Sequence, residues 1–146
     1  MPFHIQQPST EEEFKHYYHL RWKMLRAPWG QPEGSEVDDI EDQCFHVMAC
    51  TPTNEVIGVA RLQFNSKTEA QIRYMAIAEN FERKGIGREL VNALEQRAKK
   101  ASYKTITLDA REPAIGFYKK LEYKIIKKSY LLFDVIQHYQ MKKEIQ

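Results

Sequence analysis

Between Glu79 and Leu90 the chain reads ENFERKGIGREL, which places Arg83, Lys84 and Arg88 around Gly85 and Gly87 at the entry of an apolar-periodic segment. Holding an anion is the chemistry this combination serves. A helix leaves its first N–H groups without intrahelical partners, and its dipole makes that end partly positive. Glycine lets the main chain approach a ligand with no Cβ in the way. Three cationic side chains add full charges, so a phosphate or pyrophosphate is the natural guest. The third glycine of a dinucleotide fingerprint is missing, and no nucleoside-triphosphate loop of the G-x-x-x-x-G-K kind is present. The alternative is a glycine-rich helix entry with solvated basic residues.

The elements that must position this stretch are read from periodicity. FHIQQ near the start reads as a short strand. The run STEEEFKHYYHLRWKML reads as a helix, capped by Ser9 or Thr10 with Glu12 or Glu13 completing a capping box. Phe14, Tyr17, Tyr18, Arg21, Trp22 and Leu25 follow its spacing. RAPWGQPEGSEVDDIEDQ is irregular, a functional loop or a broken helix. CFHVMACT and VIGVARLQF flank the turn signal PTNE and predict a hairpin. EAQIRYMAI alternates as a strand, with Ala70, Ile72, Tyr74 and Ala76 on one face. IGRELVNALEQRAKKA carries one apolar face at helical spacing. KTITLDA is a strand and EPAIGFYKKL a short helix with proline in its first turn. EYKIIKKSYLLF and VIQHYQMKKE close the chain as strands. The expected fold is α+β, a mixed and mainly antiparallel sheet of six to seven strands with helices on both faces, in one domain spanning 1–146.

Bulk properties narrow the function. With 22 basic and 20 acidic side chains among 146 residues, nothing demands a nucleic-acid partner. No apolar run approaches the ~18 residues of a membrane span, and no secretory signal is expected. Cys44 and Cys50, read as sharing one strand face, suit a disulfide poorly and suit a reducing, cytoplasmic compartment. Two cysteines also fall short of the four ligands a structural zinc wants, so no metal is expected.

Two stretches together carry a resemblance. RYMAIAENFERKGIGRELVNALE is similar to the acyl-CoA-binding motif of the GNAT superfamily of N-acetyltransferases. Some forty residues on, LDAREPAIGFYKKLEYKI resembles that superfamily's second signature. LRWKMLRAPWGQPEGSEVDD and IQHYQMKK look like one subgroup of small bacterial members, so the resemblance covers nearly the whole chain.

The resemblance implies acetyl-CoA as cosubstrate. It places the pyrophosphate on the main chain of Arg83, Lys84, Gly85, Ile86, Gly87 and Arg88, and the pantetheine arm beside the backbone of Met75, Ala76 and Ile77, slotted between that strand and TITLDA. An N–H there would polarise the thioester carbonyl. Tyr118 matches the tyrosine used as general acid on the departing thiolate. A core role is its alternative, since Ala114, Phe117, Tyr118 and Leu121 share a helical face. Four positions depart from the pattern. Glu82 stands where Arg or Gln is usual, and it is expected to face solvent or pair with a base. Arg83 stands where glycine is frequent. Arg111 replaces an asparagine that touches the cofactor, and could reach a phosphate instead. Glu122 replaces a glycine after the short helix, at a strain of roughly 1 kcal/mol if φ is positive there.

The acceptor implied is a small-molecule or peptide amine. Between Glu33 and Asp42 the loop carries no basic residue, so Glu36 and Asp38 are candidates for drawing in a cation, with a solvated acidic turn as the alternative. Trp29, beside that loop, is a candidate pocket wall. Arg61 and Arg73 lie in apolar strands, where each needs a carboxylate partner or a bound anion; Arg73 is retained as a substrate-binding candidate. His46 and His138 are candidate bases or structural histidines. The function expected is acetyl transfer by direct attack in a ternary complex, the alternative being a non-catalytic acyl-CoA sensor or partner module. Pairing of the C-terminal strands across two copies makes a homodimer a possible assembly.

Overall fold

The computed structural model describes residues 2–146. Seven strands form a mixed sheet in the order β1-β2-β3-β4-β5-β7-β6. They are β1 (His4–Gln6), β2 (Phe45–Cys50), β3 (Val56–Phe64), β4 (Glu69–Ile77), β5 (Thr105–Arg111), β6 (Lys124–Leu132) and β7 (Ile136–Glu144). Three α-helices accompany them: α1 (Glu11–Leu25), α2 (Ile86–Lys100) and α3 (Ile115–Lys120). Among the described pairings β4/β5 is parallel and the others antiparallel. No helix among the described residues is long and apolar enough to cross a membrane. The chain divides into two compact units, Met1–Leu62 with Tyr74–Leu94, and Gln63–Arg73 with Glu95–Gln146.

In the first unit, α1 starts where its caps dictate. The Thr10 hydroxyl accepts the Glu13 N–H at 3.0 Å, and the Glu13 carboxylate accepts the Thr10 N–H at 3.1 Å. Main-chain donors from Ser9 and Thr10 hold that carboxyl below the usual range. One face of the β2/β3 hairpin meets α1 in a core of Tyr17, Leu20, Met48, Cys50, Val59 and Ala76. The other face receives the first turns of α2. There a Cβ on Gly58 would lie 2.9 Å from Ile86 Cγ2 and 3.1 Å from Leu90 Cδ1. Only glycine allows the helix mouth to sit so close to the sheet. Helices therefore cover both faces of this hairpin.

The irregular segment after α1 contains short 3-10 turns at Ala27–Trp29 and Glu41–Gln43. Cys44 closes the second of these and lies one residue before β2, so only Cys50 belongs to the strand; both thiols are free. β4 also differs from simple alternation. Tyr74 has φ 56, a left-handed conformation inside a strand.

In the second unit, β4 runs parallel to β5 from Glu69↔Thr105 to Ile72↔Leu108. β5 is covered on both faces, with Ile106, Thr107, Leu108 and Ala110 all buried. Glu95 of α2 accepts the Tyr123 hydroxyl at 2.8 Å and the Lys143 ammonium at 3.1 Å. After α3 the chain reverses through Glu122 at φ 74, and the Tyr123 N–H returns to the Tyr118 carbonyl at 3.0 Å. The position usually held by glycine is thus left-handed, as its replacement suggested. β6 is the edge strand and most of it is exposed. Phe133 and Asp134, both at positive φ, turn it tightly into β7.

Candidate functional site

The mouth of α2 is built by main-chain conformation. Arg83 has φ 60 and Gly85 φ 83, and the Glu89 N–H donates to the Gly85 carbonyl at 3.2 Å as the helix begins. Ile86 is buried and anchors the turn against Gly58 and Leu90, while Glu82, Arg83, Lys84, Gly85 and Arg88 are exposed. A Cβ added to Gly85 would meet no protein atom within 4 Å. The glycine is therefore required by φ, and the space above it is open to a guest. The ion pair of Arg88 with Glu89 is long, 3.9 Å, and solvated, so it barely neutralises the mouth. Phe3 and Ile5 of the first strand's region line an open cleft with Lys84, Gly85, Arg88 and Glu89.

A second charged cluster in the same unit is internal. Arg21 and Arg61 are both fully buried. The Arg21 guanidinium donates to Glu41 Oε2 at 2.7 Å, to the Glu36 carbonyl at 3.0 Å and to the Tyr17 hydroxyl at 3.2 Å. Arg61 reaches Asp38 Oδ1 and the same Glu41 Oε2, each at 2.9 Å. Burial works against the Arg61 charge, but the Asp38 hydrogen bond and the Glu41 field outweigh it and raise its pKa. His46 donates through Nε2 to the Glu41 carbonyl at 2.7 Å, and its Nδ1 meets the Tyr17 hydroxyl at 2.7 Å. Burial pushes His46 below its ordinary value, which keeps it neutral. The neighbouring Tyr18 phenol is pushed up to about 12, first by burial and then by Glu41.

Tyr74 lies inside this cluster. Its ring faces the Arg21 guanidinium at 4.5 Å and that of Arg61 at 4.7 Å. A left-handed tyrosine costs roughly 1–2 kcal/mol, and buried cation–π contacts of this kind contribute about as much. Beyond it come Met75, Ala76 and Ile77, and the Ala78 N–H then donates to the Ile57 carbonyl of β3, 2.8 Å away.

In the second unit, Tyr118 is buried, with Phe117 edge-on at 4.9 Å and Tyr123 at 5.9 Å. Burial raises its pKa, so the phenol keeps its proton at neutral pH. Arg111 ends β5 opposite His138. That histidine is buried and stacked on Tyr130 at 4.3 Å.

A family model described as Acetyltransferase (GNAT) family matches residues 14–123. The chain belongs to the GNAT acetyltransferase family. An uncharacterized N-acetyltransferase of Bacillus subtilis, YjcF, is 24% identical over 136 residues, which is 93% of this chain and 96% of that protein. Among solved structures, an aminoglycoside 6'-N-acetyltransferase complexed with coenzyme A superposes with a TM-score of 0.81 at 17% identity, covering 100% of this chain and 98% of the other. A GNAT acetyltransferase from Elizabethkingia anophelis with acetyl-CoA bound gives 0.72 at 19% identity, covering 98% and 97%. At such identities these two likenesses speak for the GNAT fold.

Within this GNAT chain, residues 75–77 and 83–88 and three acceptor candidates fall in the first unit, whereas Arg73, Arg111 and Tyr118 fall in the second. Glu82 is exposed, in keeping with a carboxylate turned to solvent. Glu36 is buried and its carboxylate caps the Gly34 N–H at 2.8 Å. Asp38 is held by Arg61, while Trp29 is 40% exposed on its 3-10 turn. Glu33, Asp39 and Asp42 are the acids of this loop left in water. Sequence reasoning missed Tyr74, Arg21 and Glu41. Arg21 did leave a signal, a lone arginine on the apolar face of α1. Tyr74 left none, because a tyrosine in an alternating strand gives no hint of positive φ.

Proposed function

We propose that this GNAT chain transfers an acetyl group from acetyl-CoA to the primary amine of a small molecule or peptide, by direct attack in a ternary complex. The α2 mouth carries the reading: left-handed Arg83 and Gly85 open the main chain to a guest between exposed Lys84 and Arg88. Amides there suit a diphosphate, and the coenzyme A and acetyl-CoA seen in two structural neighbours support that guest. Arg111 is proposed to add charge toward a phosphate, as arginine can donate and cannot accept.

In the step itself the amine nitrogen attacks the thioester carbonyl carbon. Main-chain N–H groups of Met75–Ile77 stabilise the oxyanion. The C–S bond then breaks, and the thiolate takes the Tyr118 proton. An aliphatic amine is protonated at neutral pH, with a pKa of about 10. That proton leaves to water before attack; the second proton, lost by nitrogen as the amide forms, passes through water to the Tyr118 phenolate and restores the phenol. Exposed Glu33, Asp39 and Asp42 raise the local concentration of the cation. Trp29 and Arg73 are retained as acceptor contacts. Free thiols at Cys44 and Cys50 fit a cytoplasmic enzyme.

A thiol-release assay with acetyl-CoA against polyamines, amino acids, aminoglycosides and N-terminal peptides tests the reading. Tyr118→Phe is expected to lower kcat about 100-fold or more with coenzyme A affinity retained. Unchanged turnover would remove Tyr118 from the mechanism. Binding of coenzyme A without turnover on any amine would favour the sensor module.

A further inference from the structure

We propose that Tyr74 is a positioning residue: its ring, clamped by the neighbouring Arg21 and Arg61 guanidiniums, holds a left-handed turn in β4 that aims the Met75–Ile77 main chain at the acyl carbonyl. The inference rests on the acetyl-CoA reading above and assigns it a residue and a cause.

Three observations converge on Tyr74. Its φ is 56, where glycine or asparagine is expected. A left-handed residue within a strand interrupts the ladder and re-aims the residues after it, as bulges do near active sites. The stretch that follows is short, because the Ala78 N–H donates to the Ile57 carbonyl at 2.8 Å and Ala76 is buried in the α1 core. Residues 75–77 are therefore fixed at both ends, by Tyr74 before them and by the Ala78 bond after them.

The clamp explains why the position tolerates a tyrosine. One carboxylate oxygen, Glu41 Oε2, accepts from Arg21 at 2.7 Å and lies 2.9 Å from Arg61 Nη1. It draws both guanidiniums together, and they meet the phenol ring at 4.5 and 4.7 Å. Asp38 holds Arg61 from the loop side, and the Asp38 N–H donates to the same Glu41 oxygen at 3.1 Å. Glu41 and Asp38 belong to the irregular acidic segment, and Arg21 to α1. The segment expected to face the acceptor is thereby tied mechanically to the strand expected to face the thioester.

The test needs no acceptor amine. Wild type, Tyr74→Leu, Tyr74→Gly and Tyr74→Phe are titrated with coenzyme A by calorimetry. Each is then saturated with acetyl-CoA labelled with carbon-13 at its carbonyl, and the bound resonance is read by NMR. A hydrogen-bonded, polarised carbonyl resonates downfield of the free thioester. Wild type and Tyr74→Phe, which keeps the ring, are expected to show the downfield shift. Tyr74→Leu is expected to lose it while binding coenzyme A within a few-fold of wild type, since the diphosphate is held elsewhere. Tyr74→Gly accepts positive φ without strain, so it folds even if the leucine variant does not, and it too is expected to lose the shift. A misplacement of this kind is expected to cost up to about 100-fold in kcat. A full shift in Tyr74→Leu or Tyr74→Gly would overturn the proposal and leave the acetyl-CoA reading standing. Heat of binding with no shift in any protein would overturn it too, whereas no heat in wild type would remove the reading beneath it.

Discussion

Two charged stretches of the first unit, basic residues 82–88 and acidic residues 33–42, end in opposite places. At the α2 mouth the charges stay in water and the main chain is shaped, with Arg83 and Gly85 left-handed. In the acidic segment Glu36 and Glu41 turn inward, and Asp38 and Glu41 meet buried Arg61. The difference lies in what each neighbour needs. Two arginines sealed under α1 and β3 would cost far more unpaired than the segment loses in freedom, so its carboxylates are recruited. The mouth has no buried charge to satisfy and remains open.

The largest expected effect falls on the inward stretch. Arg61→Ala takes the guanidinium from Asp38, leaves Glu41 to Arg21 alone and empties a fully buried site, and it should cost about 3–5 kcal/mol, read as a fall in Tm of about 10 °C or more. A change within about 1 kcal/mol would make the segment a surface turn after all.

Acidification probes the same cluster more gently. Burial, helped by the Arg21 charge, holds His46 below its ordinary 6.5, so the unfolded chain takes up a proton before the folded one does. Its contribution is whole above about pH 6.5 and is lost as pH falls from there through the folded value. Tm should therefore drop between about pH 7 and pH 5, and His46→Gln should flatten that part of the profile. An identical slope in the variant would place the sensitivity elsewhere.

The smallest effect belongs to the outward stretch. Arg83→Gly relieves the left-handed arginine and should gain roughly 1 kcal/mol in thermal unfolding. It should also weaken coenzyme A slightly through the lost charge. A loss of stability would mean that the Arg83 side chain does more than tolerate its φ.

The order of elements, the two long helices and a capping box at Ser9 or Thr10 were legible because they are written in periodicity and in short-range hydrogen bonding; the structure selects Thr10 with Glu13. The exposed, left-handed entry to α2 was legible for a similar reason, since Gly85 marks the turn and the charges around it mark a solvated surface. The left-handed Glu122 could be anticipated only from the family pattern. The clamp was hidden because its members, Arg21, Glu41, Arg61 and Tyr74, come from four separate elements. Nothing local distinguishes Glu41 from Asp42 one residue on, yet the first is buried and the second exposed. Long-range pairing of that kind is decided by which side chains the packed helices trap, and single-sequence periodicity does not carry it.

The most direct measurement is a calorimetric titration of coenzyme A into wild type and Gly85→Val. With main-chain amides at the α2 mouth holding the diphosphate, wild type should give saturable heat. A β-branched residue at φ 83 should then weaken binding about 10-fold or more without unfolding the protein. Absence of heat with wild type, or equal affinity in the two proteins, would contradict it.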